Sequence, residues 1–86
     1  MKRILKFRSD PNHSWLEVPL QDLTTLGVAD EISAYSYQNE TNAYLEEDVD
    51  AYVYLRAARE AGWSVTTQDA YVDGESFVPR LPPYGS

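Results

Sequence analysis

Only one stretch of this chain is long and periodic enough for a full helix, and the rest reads mainly as strands and turns. The spacing predicts that helix from Asp48, as its N-cap, to Ala61, with Gly62 as the stop. It would span about 20 Å. Ala51, Val53, Tyr54, Leu55, Ala57, Ala58 and Ala61 fill one broad arc, with Arg56, Arg59 and Glu60 opposite. Alanines on the inner arc call for close approach to a sheet, where larger side chains would overpack. In 86 residues there is room for one modest core. Cysteine is absent, so neither a disulfide nor a thiolate zinc site can hold that core together.

The other segments supply the sheet. Residues 2–8 alternate, with Arg3, Leu5 and Phe7 on one face and Lys2, Ile4, Lys6 and Arg8 on the other. Leu5 and Phe7 are expected inside, and the basic face is read as an edge strand guarded against unwanted pairing, in preference to an internal counter-charge to the acidic body. Ser9–Ser14 is a turn. Trp15 and Glu17 then oppose Leu16 and Val18. A short helix follows from Leu20 to Leu26, opened by Pro19 and stopped by Gly27. Ile32–Gln38 and the residues after Asn39–Asn42 form a hairpin. Ser64–Val72 is a further strand, and Phe77–Val78 a last short one. These elements predict an α+β domain over residues 1–78: a small antiparallel sheet of four or five strands with one short and one main helix. Residues 79–86 form a proline-rich, extended and partly mobile tail.

Charge narrows the function classes. The net charge is −7, and Lys2, Arg3, Lys6 and Arg8 are four of the seven basic residues. From Ser9 onward 14 acids face only Arg56, Arg59 and Arg80. Such a body repels nucleic acid and favours basic partner surfaces. The opening Met-Lys-Arg-Ile-Leu-Lys turns polar too early for a signal peptide, and no stretch is long and apolar enough for a membrane span.

No catalytic signature emerges. His13 is the single histidine, and Asp10 and Ser14 flank it in one loop, which is not the geometry of a separated triad. The acids Glu46, Glu47, Asp48 and Asp50 lack the glycine and ligand spacing of a calcium loop. Acids at a helix start offset its positive end. No metal, cofactor or enzymatic activity is expected. A partner-binding surface is expected from Glu46, Glu47 and Asp50 at the helix tip, Glu40 in the hairpin turn, and Tyr35, Tyr37 and Tyr44. Carboxylates so placed can occupy lysine and arginine sites that otherwise hold phosphates.

Four segments carry a resemblance: His13-Ser-Trp-Leu-Glu-Val-Pro19, Leu26-Gly27, Ile32-Ser-Ala-Tyr-Ser-Tyr37 and Tyr44-Leu-Glu-Glu-Asp-Val-Asp50. Their order is similar to that of small proteins carried by phages and other mobile elements, over about residues 13–50. Members of that family often have cysteine where this chain has Val49, so no thiol-based role transfers. The resemblance implies a mobile-element origin. By analogy with anti-CRISPR proteins of type I systems, it also implies a cytoplasmic, stoichiometric inhibitor acting in the bacterial host. The expected partner is a bacterial defence complex, such as a type I CRISPR surveillance complex, whose basic nucleic-acid groove the chain would block by DNA mimicry. It would bind neither nucleic acid nor membrane directly. The alternative is a small accessory or regulatory protein-interaction module without mimicry.

Overall fold

The computed structural model describes all 86 residues. In chain order the strands are β1 (Lys2–Ser9), β2 (Ser14–Pro19), β3 (Tyr37–Gln38), β4 (Asn42–Glu46) and β5 (Ser64–Tyr71). The helices are α1 (Leu20–Thr25) and α2 (Asp50–Glu60), with 3-10 turns at Ala29–Glu31 and Val78–Arg80. The five strands form one sheet in the order β3-β4-β2-β1-β5. This is the α+β class expected from the pattern. The sheet is mixed rather than wholly antiparallel, because β5 lies parallel to β1. Helix α2 causes this: it carries the chain from the end of β4 back to the start of β5, as a parallel connection requires.

One face of the sheet meets the helices. Leu5, Leu16, Val18, Ala43 and Leu45 join Leu23 of α1 and Ala51, Tyr54 and Ala58 of α2 in the main core. The inner alanines of α2 are therefore contact residues, as their size implies. Gly27 and Gly62 end the two helices with φ of 73° and 81°, the left-handed region that glycine enters without steric penalty.

Strand β1 is not an edge. It is hydrogen-bonded to β2 on one side and β5 on the other. Two of its basic residues act as internal counter-charges. Arg3 donates through Nε and Nη2 to the buried carboxylate of Asp22, at 2.8 and 2.9 Å, and its guanidinium lies over Trp63. The Tyr54 hydroxyl donates to the same carboxylate at 2.9 Å, tying α2 to α1. Burial, with the adjacent Asp22 carboxylate, pushes the Tyr54 phenol far above its ordinary pKa. Arg8 donates to Glu17 at 2.7 Å and lies over Phe77.

The opposite face of the sheet is half covered. Trp15, Tyr44 and Val78 form a second small cluster, with Tyr37 and Leu81 packed against it. Phe77–Val78 is not a strand but the entry to a 3-10 turn. The segment beyond residue 78 is docked as a strap. Gln38 N–H donates to the Pro82 carbonyl, Tyr84 N–H to the Ser36 carbonyl, and the Tyr84 hydroxyl to the Ala29 carbonyl at 2.8 Å. Apolar residues in the strap supply the reason: Val78 is fully buried, and Leu81 and Tyr84 are partly so.

Candidate functional site

The sequence places a hairpin and the main helix tip side by side, and the structure opens a groove there. It has a volume of about 550 Å³ and brings together three separated segments. Asn12 to Trp15 form one wall, Tyr35 and Tyr37 another, and Glu46 to Val49 a third, with Pro79 of the strap at the margin. No lysine or arginine lines it. Trp15 forms the floor, with His13 stacked at 5.7 Å between ring centroids and Tyr37 edge-on at 6.4 Å. Trp15 was not among the expected contact residues. Its alternation against Leu16 and Val18 is the signal that it faces a second layer.

The acids divide into two kinds. Glu47 and Asp48 are exposed on the groove wall. Glu46 is occupied internally: its carboxylate accepts the N–H groups of Asp48, Val49 and Asp50 at 2.8–2.9 Å. It does the work expected of Asp48: the N-cap position falls one residue later, at Val49, which offers no side-chain cap of its own. A carboxylate on unpaired amides at a helix start is favoured by both hydrogen bonding and the helix dipole.

Asp50 contradicts its expected role as a partner contact. It is fully buried, and its Oδ2 accepts from Ser33 N–H at 3.0 Å, Ser33 Oγ at 2.7 Å and Ser36 Oγ at 2.6 Å. Ser36 Oγ in turn accepts from the Glu46 N–H. The expected strand Ile32–Gln38 is therefore mostly a turn, and only Tyr37–Gln38 pairs. Two serines committed to a buried carboxylate pull the chain inward on either side of Tyr35. That leaves Tyr35 thrust outward, 83% exposed. Asp50 positions the aromatic wall and cannot itself touch a partner.

Tyr44 is likewise buried, against Phe77 at 5.6 Å in an edge contact, with its hydroxyl accepting from Asn39. Burial, with Glu17 nearby, raises its pKa. It packs beneath the strap and is not a surface contact. Glu40 is exposed in the β3–β4 turn but lines a different, shallower depression with Gln38, Asn39, Pro82 and Ser86. Of the seven expected contact residues, Tyr35, Tyr37, Glu46 and Glu47 reach the groove.

His13 sits exposed at the groove margin. The neighbouring Asp10 directs its carboxylate to backbone: Oδ1 accepts from Asn12 and His13 N–H, and Oδ2 from Ser76 N–H at 3.1 Å. The Ser76 and Asn12 bonds hold Asp10 below the usual carboxylate pKa of 3.8. A depressed pKa means the ionised form favours the fold above pH 3.8, and that contribution is lost as pH falls through the lower folded-state value. Acidification below pH 3.8 should therefore loosen the root of the strap at Ser76. The Ser76 amide shift, followed by NMR, should titrate with a midpoint below 3.8, and Asp10→Asn should abolish that transition.

No group of three or more histidine, cysteine, aspartate or glutamate side chains is arranged to hold a metal ion. No helix is long and apolar enough to cross a membrane. No family model matches the chain, and no curated protein or solved structure matches it either.

Proposed function

We propose that this chain acts by stoichiometric binding rather than turnover, with the groove between Trp15, Tyr35 and the helix tip receiving a basic segment of a partner protein. The observation that supports this reading is the lining: exposed carboxylates at Glu47 and Asp48, an aromatic wall at Tyr35 and Tyr37, and no lysine or arginine. A guanidinium or ammonium group gains from carboxylates and from aromatic faces together. In its specific form, the partner is a nucleic-acid-binding protein of a bacterial defence complex, such as a type I CRISPR surveillance complex. The chain then inhibits by covering a basic groove that otherwise takes phosphates. That step rests on the resemblance over residues 13–50 and on the net charge of −7.

A second reading, an interaction module without mimicry, draws on the apolar rim, where Tyr35 and Val49 are both well exposed. The two readings differ in salt dependence. The partner would first be captured from a bacterial lysate and identified by mass spectrometry. Glu47→Gln with Asp48→Asn should leave folding within about 0.5 kcal/mol, since both side chains are exposed. Affinity at low salt should fall at least tenfold, about 1.4 kcal/mol, and the difference should shrink as salt screens both surfaces. Unchanged low-salt affinity in that variant, with loss on Tyr35→Ala, would replace the charge-based reading with the aromatic one.

A further inference from the structure

At the far side of the sheet from the groove, strand β5 ends the sheet with an open edge. It is eight residues long and only lightly protected, having no proline, no lysine and a single charge, Asp69. The hydrogen bonds define which groups are open. Ser64 N–H donates to the Met1 carbonyl and Val72 N–H to the Ser9 carbonyl. Backbone groups alternate sides along a strand, so even-numbered residues face β1. Val65, Thr67, Asp69 and Tyr71 therefore turn their N–H and C=O groups to the free edge. The other end of the sheet is managed differently: β3 is only two residues long, and the strap bridges it at Pro83.

We propose that β5 pairs with β5 of a second copy of this chain, antiparallel about a two-fold axis, to make a continuous ten-stranded sheet. Self-complementarity points to this occupant. A two-fold axis at Gln68 sets Val65 opposite Tyr71 and Thr67 opposite Asp69, so every outward-facing residue of one strand meets one of the other. About eight N–H···O bonds close the seam. The same register keeps the two Asp69 carboxylates from facing each other, which a centre at Asp69 would not. A centre at Thr67 leaves Tyr71 overhanging the partner strand. The dimer buries an edge that otherwise offers itself to any extended chain, and it leaves both grooves open at the outer ends of the sheet. A bivalent molecule follows, able to engage two sites on one assembly. The dimer itself does not depend on what the groove binds.

Sedimentation equilibrium of the purified chain, over a concentration series into the millimolar range, tests the proposal without any partner. The expected species is twice 9.8 kDa. Thr67→Pro removes an outward N–H at a position where an edge strand tolerates proline, and Thr67→Lys adds an edge charge. Either variant, folded by circular dichroism, should weaken the dimer at least tenfold. Gln68→Cys gives the chain its only thiol. In the proposed register two such residues form a non-hydrogen-bonded pair about 4.5 Å apart at Cα, within disulfide reach, so mild oxidation should link the copies. A wild-type chain that stays at 9.8 kDa throughout overturns the proposal. So does a dimer that resists both Thr67 variants and leaves Gln68→Cys unlinked.

Discussion

Asp50→Ala is expected to lower stability by about 3 kcal/mol, even though the residue lies in an acidic run that reads as surface. The substitution leaves the Ser33 N–H and the Ser33 and Ser36 hydroxyls without their acceptor, in a place that is buried at Ser36 and half-buried at Ser33. Each buried donor left unpaired costs about 1–3 kcal/mol, and hydroxyl rotation recovers part of that. A domain of this size holds a total on the order of 5–10 kcal/mol. The melting temperature should accordingly drop by roughly 15 °C. Asp50→Asn is the informative companion. Its carbonyl can take the place of Oδ2 and keep the three donors, while its amide occupies the place of Oδ1, which has no partner. It should lose less than the alanine variant. Because the two serines flank Tyr35, the alanine variant should also free that turn, seen as a sharper, averaged Tyr35 ring signal in NMR. A melting temperature equal to the parent's would show that Asp50 does not organise the turn.

Where local chemistry decides, the sequence was legible. Gly27 and Gly62 mark the helix ends, and the alternation of β1 and β2 separates Leu5, Leu16 and Val18 from the outer face. These depend on neighbours within a turn or two. What was misread depends on partners far along the chain. The basic residues of β1 resemble edge protection because nothing local shows that β5 will pair beside them. Arg3 finds Asp22, and Arg8 finds Glu17, only once the strands assemble. Asp48 reads as the cap, yet the cap position falls one residue later at Val49, and Glu46 reaches the amides of Asp48, Val49 and Asp50 from the end of β4. Asp50 is drawn inward by serines 14 and 17 residues earlier. The proline-rich tail has the composition of a mobile end, but Val78, Leu81 and Tyr84 give it enough apolar surface to dock. The candidate site was therefore half legible. Its aromatic and acidic character was visible, while the division between exposed contacts and internal supports was not.

Trp15 is where fold and groove meet, and Trp15→Ala should be the most damaging single change at the site. The ring is almost fully buried, stacked with His13, edge-on to Tyr37 and packed in one cluster with Tyr44 and Val78. Truncating a buried tryptophan costs about 3–5 kcal/mol through lost burial and the cavity left behind. Here the loss has a particular route. The strap lies over this cluster through Val78 and Leu81, and its remaining anchors are polar contacts at its two ends: Asp10 to Ser76 at the root, and Gln38 to Pro82 and Gly85 with Tyr84 to Ser36 and Ala29 beyond it. With the floor gone, the strap should detach before the main core, because Leu16, Val18 and Tyr54 lie on the other face of the sheet. Limited proteolysis should then cut first between residues 76 and 86, while amides of α2 and β1 keep their protection from exchange. Trp15→Phe retains most of the ring contacts and should hold the strap at a smaller cost. If Trp15→Ala instead unfolds everything in one step, with tail and core amides exchanging together, the strap is an integral part of the single cooperative unit.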